Sequence, residues 1–143
     1  MEKRDNLLKE QIEFVAKKFL EITKEREIQL ISHFDTDGIT SATIMIQTLR
    51  KLDKKFTVKI IKSLEEDFVY TLPKEKIILF LDLASGSLDY IKKAQLEDIF
   101  IIDHHEITKE IPNNIYIINP EIHDKQKISC SCLTYLFCKQ LSN

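Results

Sequence analysis

Glycine and proline are scarce in this chain, two and three residues in 143. That excludes long flexible or proline-rich linkers and fits a tight alternation of regular elements. No apolar run approaches the length that crosses a bilayer or forms a secretory signal, so a soluble, cytoplasmic protein without a membrane partner is expected. Neither sign of charge dominates, with 21 Lys plus Arg against 23 Asp plus Glu. No global basic field draws the chain to nucleic acid, and any such grip must be local or lent by another chain. Cysteine is sparse too: Cys130, Cys132 and Cys138 fall in one stretch. A zinc site needs a fourth ligand and converging sulfurs, and positions two apart on a helix face different ways. The thiols therefore read as small core or interface fillers kept reduced. There is no internal repeat and no low-complexity segment. The length suits one domain over residues 1–143 with a single core.

What the sequence does contain is periodicity. Leu8, Ile12, Val15, Ala16, Phe19 and Ile22 recur at spacings of three and four within Asp5 to Glu25, which predicts an amphipathic helix over the first 25 residues. An α/β core over 28–143 follows. Ile28 to Ser32 reads as a strand and Thr40 to Leu52 as a helix begun by Asp37 and Gly38. Phe56 to Ile61 reads as a strand, and Glu65, Glu66 and Asp67 as a solvated connection ending near Pro73. Ile77 to Leu83 is almost wholly apolar, as a central strand covered on both faces must be. A short helix through Leu88, Ile91 and Ala94 leads to strands at Ile99 to Ile102 and Ile115 to Ile118, the last stopped by Asn119-Pro120. Ser129 can cap a final helix carrying Leu133, Leu136, Phe137 and Leu141. Strands alternating with helices predict a parallel sheet of about five strands flanked by helices on both faces, with every strand's carboxyl end on one edge. Ligands bind along such an edge.

The residues at those carboxyl ends are metal-capable. The first strand runs out into His33, Asp35 and Asp37, ahead of Gly38; the third carries Asp82 at its exit; the fourth ends in Asp103-His104-His105. Alternate positions on an extended segment point the same way, so the first three side chains converge. Clustered carboxylates repel one another unless protons or a divalent cation neutralise them, and oxygen plus imidazole ligands suit manganese, magnesium or zinc. Each feature has a plainer reading. Asp35 and Asp37 could cap a helix, and adjacent histidines occur freely in exposed loops. An Asp-x-Asp-Gly tetrad also opens haloacid-dehalogenase phosphatases, whose first aspartate is a nucleophile, but that reading leaves His33 and Asp103-His104-His105 unused. Three strands delivering ligands to one rim favour a metal pair sharing one carboxylate.

Asp103-His104-His105 after an apolar strand, His33-Phe34-Asp35-Thr36-Asp37-Gly38 upstream and Asp82 between them resemble the DHH phosphoesterase superfamily. Ile31 to Ala42, Asn119-Pro120 and Ile128-Ser129 leading into Leu133 to Leu136 are similar to its archaeal RecJ-like exonuclease branch, which includes the GINS-associated nuclease and is related to Cdc45. The resemblance implies that His33 and Asp35 hold one Mn2+, Asp37 and His104 a second, and Asp82 bridges them, with Mg2+ as the substitute ion. It further implies that Asp103 orients its histidine neighbour, that His105 steadies the scissile phosphate, and that a hydroxide between the cations attacks phosphorus. The implied substrate is single-stranded DNA or RNA, cut from the 5′ end; a small nucleotide is the lesser alternative.

In this family a further aspartate beyond the Asp-His-His motif completes the second metal site, and a second domain, DHHA1, closes over the substrate. The sequence here stops at Asn143, and Asp124, its last carboxylate, follows His105 too soon to match. Ala84 stands where the family often has glycine. The expectation is an N-terminal DHH domain lacking DHHA1, completed by a second polypeptide or by pairing with itself. The competing class is a non-catalytic Cdc45-like subunit that binds GINS or a replicative helicase. His123 beside Asp124 reads as a loop pair. Lys51, Lys54, Lys55, Lys59 and Lys62 read as a solvated face rather than a phosphate track.

Overall fold

A computed structural model describes residues 2–123 and 126–142. The first helix, α1 (Glu2–Ile22), buries Leu8, Ile12, Val15 and Phe19 along one stripe. It leads to β1 (Ile28–His33), α2 (Thr36–Lys51), β2 (Phe56–Ile61), α3 (Glu66–Tyr70), β3 (Ile77–Leu81), α4 (Leu88–Lys93), β4 (Ile99–Ile102) and β5 (Ile115–Ile118). A 3-10 turn at Pro120–Ile122 and α5 (Cys130–Leu141) complete the described elements.

All paired strands are parallel, in the order β2-β1-β3-β4-β5. The chain leaves β1 toward one edge and returns past it to β3, so the order reverses between β1 and β3. At such a switch point the flanking loops diverge and open a crevice at the strands' carboxyl ends.

Side chains alternate along β3 into two cores. Ile77, Leu79 and Leu81 join Phe19, Met45, Phe100 and Phe137 on the face of α1, α2 and α5, while Ile78 and Phe80 join Val69, Ile91 and Ile101 on the face of α3 and α4. Phe19 anchors the first core with edge-on contacts to Phe100 at 5.1 Å and Phe137 at 5.5 Å. The edge strand β2 is exposed from Thr57 to Ile60, with Lys59 set over the Phe68 ring, a charge that discourages pairing with other strands.

Four sequence expectations change. The third strand ends at Leu81 rather than Leu83, because the backbone turns left-handed at Asp82, φ 61°. The first helix ends at Ile22 rather than Glu25. The second begins a turn earlier than Thr40, because Asp35 adopts extended backbone and its Oδ1 accepts the Gly38 amide at 2.8 Å, a cap that starts the helix at Thr36. The acidic stretch Glu65 to Asp67 enters α3 instead of remaining a connection, since Val69 is fully buried one turn on and pulls the segment onto the sheet. Cys130 and Cys138 are buried and Cys132 is exposed, all as free thiols. Among the described residues no helix is long and apolar enough to cross a membrane.

Candidate functional site

The loop after β1 is tied down from both sides. Ser32 Oγ donates to the Gly38 carbonyl at 2.7 Å and reaches the Leu81 carbonyl at 3.3 Å, linking β1, α2 and β3. A Cβ on Gly38 would lie 2.1 Å from the His33 carbonyl oxygen, so only glycine lets α2 start this close to the strand. His33, Asp35 and Asp37 are thereby held at the switch point, beside Asp82 at the end of β3.

His33 Nε2 lies 3.1 Å from the Lys62 carbonyl, which can only accept, so that nitrogen carries a proton. In the neutral ring the Nδ1 lone pair then faces Asp35 Oδ2 at 3.1 Å and Asp82 Oδ2 at 3.3 Å. Three electron-rich atoms meet at a point that requires a proton or a cation. Asp82 itself is 1% exposed and has a left-handed backbone, φ 61°, a conformation costly for a non-glycine residue and concentrated at functional sites. Its Oδ1 has no hydrogen bond among the described residues, although His104 Nε2 approaches to 3.0 Å without hydrogen-bond alignment. Burial, then the shared contact with Asp35 and the charges of Asp37, Asp35 and Asp103, push the Asp82 carboxyl up to about 8. Burial also pushes Asp35 up, but the Gly38 amide, Asp82 and His33 together hold it below the ordinary aspartate value.

The opposite half of the rim is saturated. Asp103 is fully buried; its Oδ1 accepts the His104 amide at 2.8 Å and lies 2.6 Å from His105 Nδ1, and its Oδ2 accepts the Ser85 amide at 3.1 Å. Against its burial, His105 foremost and then Ser85 and His104 hold the Asp103 carboxyl below the usual range. Asp103 in turn raises His105 to about 9, so His105 is an imidazolium at neutral pH. Buried Asn119 at the end of β5 donates from Nδ2 to Ser85 Oγ and to the His105 carbonyl, both at 2.9 Å.

Asp37 bridges the two halves. Its Oδ2 is 3.4 Å from His104 Nε2, and its two oxygens accept the first amides of α5, Cys130 at 3.0 Å and Ser131 at 2.8 Å. Burial pushes the nearby Cys130 thiol up to about 12, which keeps it protonated and unreactive.

All seven residues expected at the site, His33, Asp35, Asp37, Asp82, Asp103, His104 and His105, therefore sit on one rim. Ligand atoms of six of them form two groups within 4.8 Å: His33, Asp35 and Asp82, and Asp82 with Asp103, His104 and His105; Asp37 is in neither and meets the rim through His104. Asp82 belongs to both. The donor set and the orphaned Asp82 oxygen fit a divalent cation. Asp103, fully buried and 2.6 Å from His105 Nδ1, is placed to orient that ring, whereas Asp37, whose oxygens also accept amides, keeps Oδ2 facing His104 Nε2 on the rim. Sequence reasoning missed Ser32, Ser85, the Lys62 carbonyl, and the Cys130 and Ser131 amides; it also read Asn119 only as a strand stop. Asn119 was findable from its place at a strand's carboxyl end. His123 bonds Gln11 at 3.1 Å, away from the rim, while Asp124 lies outside the described residues.

Known proteins share this fold. A curated relative from Methanocaldococcus jannaschii, an uncharacterised protein, is 31% identical over 79% of this chain and 28% of its own length. The single-stranded-DNA-specific exonuclease RecJ of Bacillus subtilis is 27% identical over 70% of this chain and 14% of its own. The chain thus spans less than a third of the length of the curated relatives it matches. Among solved structures, RecJ of Thermus thermophilus in complex with Mn2+ superposes with a TM-score of 0.74 at 18% identity, covering 92% of this chain and 20% of that one. Cdc45 of Entamoeba histolytica superposes at 0.69 and 21% identity, covering 94% and 30%. The profile of the DHH family, N-terminal domain, matches residues 27–143, and the chain belongs to that family.

Proposed function

We propose that this chain, as a single DHH domain, forms the metal-binding half of a cytoplasmic RecJ-like phosphodiesterase. It would remove nucleotides from the 5′ end of single-stranded DNA or RNA during replication or repair, completed by a second polypeptide or domain. The observation that carries the proposal is the buried Asp82 carboxylate, one oxygen of which makes no hydrogen bond, shared by two groups of ligand atoms at the sheet's switch point. Keeping a carboxylate there costs stability unless a cation compensates it.

His33 and Asp35 would hold one divalent ion, Mn2+ or Mg2+; Asp37 and His104 would hold a second; Asp82 would lie between them. Such ions supply the positive charge that acidifies an attacking water and draws electron density from the phosphoryl oxygens. The chain's own residues do the rest. Asp82, whose carboxyl burial raises to about 8, would give up that proton to serve as a ligand. Asp103 fixes Nδ1 of His105, leaving the imidazolium Nε2–H free to donate to a phosphoryl oxygen and steady it as charge builds. Ser85 and Asn119 hold that histidine's backbone and its carboxylate partner still.

The test is manganese-dependent cleavage of a 5′-labelled single strand, with manganese binding followed by calorimetry, for the wild type and Asp82→Ala. Cleavage abolished in the variant is the expected result; cleavage unaffected by the substitution overturns the proposal. The likeness to Cdc45 favours a second reading, a non-catalytic subunit that binds GINS or a replicative helicase. Manganese bound tightly with no cleavage, whatever partner is added, would select it.

A further inference from the structure

Phe34 sits between two proposed ligands, His33 and Asp35, and is 53% exposed. Its ring meets the His33 ring edge-on, with centroids 5.1 Å apart and planes at 76°, a contact that leaves ring surface open to solvent. The backbone on either side is fixed, by the Asp35 cap on Gly38 and by the Ser32 bond to the Gly38 carbonyl. The ring is therefore a preorganised apolar surface one imidazole away from the cluster.

A plainer role exists. Phe34 precedes the cap and Ile39 is the fourth residue of α2, the two positions that commonly form a hydrophobic staple. That accounts for two apolar residues at this spacing, yet leaves Ile39 44% and Phe34 53% exposed, each within two residues of a proposed ligand. An apolar ledge beside an ion site matches a ligand with a phosphate at one end and a flat, weakly polar group at the other.

We infer that Phe34 is a stacking platform for the nucleobase of the nucleotide whose phosphate meets the rim. This rests on the phosphodiesterase reading and narrows it to base-bearing phosphodiesters, as opposed to inorganic polyphosphate. Stacking on an aromatic face tolerates any base, so the platform selects for the presence of a base and not for its identity.

Two short single strands, identical except for adenine or an abasic sugar at the 5′ end, decide the point. Their terminal linkage is phosphorothioate so that they persist, and affinity is read by fluorescence polarisation with manganese present. Wild type binds the adenine strand more tightly by about 5- to 100-fold. Phe34→Leu preserves the apolar staple and the fold, checked by its melting temperature, and brings that ratio to about one; Phe34→Tyr restores it. Equal binding of both strands by wild type overturns the inference, as does a ratio that survives in Phe34→Leu or the absence of measurable binding to either strand. Cleavage of the unmodified strands is scored separately. A base preference without cleavage, whatever partner is added, leaves the platform standing and removes the phosphodiesterase reading.

Discussion

The half of the rim fed by β1 and β3 and the half fed by β4 and β5 hold buried carboxylates in opposite conditions. Asp103 has N–H donors on both oxygens and an imidazolium against one of them. Asp82, equally buried, has one oxygen with no hydrogen bond and the other 3.3 Å from His33 Nδ1. Both are aspartates at the end of an apolar strand. What separates them is the next few residues: Asp103 collects its own following amides and Ser85, whereas Asp82 sits in a left-handed kink that turns it into the crevice. The charge of Asp103 is satisfied within the fold, and that of Asp82 is not.

Substitution should split the halves most sharply. Asp103→Asn removes the charge that the His105 imidazolium and the buried amides rely on, and should cost about 3 kcal/mol in urea unfolding. Asp82→Asn should do the reverse in the metal-free protein, raising the melting temperature, while weakening manganese binding more than about a hundredfold by calorimetry. Loss of stability in both variants would erase the distinction.

pH gives a smaller test of the same contrast. The raised carboxyl of Asp82 means that the native state keeps a proton which the unfolded chain sheds near 3.8, so stability drains away as pH climbs toward about 8. His105 stabilises fully below 6.5 and loses that contribution as pH rises through about 9. The two act in the same direction between 6.5 and 8. Calorimetric scans in a chelator should show the melting temperature falling over that interval, and manganese should offset the Asp82 share. A melting temperature that rises with pH would contradict both assignments.

The smallest effect concerns the loop joining the halves. Ala84 has φ 90°, where an L side chain is strained. Ala84→Gly should stabilise by about 0.5–1 kcal/mol in urea unfolding, less than the strain alone because glycine loosens the unfolded chain.

Sequence made the candidate ligands visible and left their supports hidden. The apolar runs at Ile28, Ile77 and Ile99 fixed which residues ended strands, and the parallel order then brought His33, Asp82 and Asp103 to one edge. The odd residue at Ala84 was legible too, as a missing glycine. Hidden were contacts made by backbone: nothing in the letters says that Lys62 offers its carbonyl to His33, or that the amides of Cys130 and Ser131 meet Asp37. Helix α3 escaped because its acidic start resembles a loop, and one buried valine decided otherwise.

The grip of α5 on Asp37 joins positions 93 and 94 residues apart. During synthesis the early acids emerge long before the helix that clasps one of them, so the cluster cannot reach its final geometry until the last described helix has left the ribosome and docked. Until then the Asp37 carboxylate lacks its two amide donors, and the shape of the rim waits on the latest-made of the described helices.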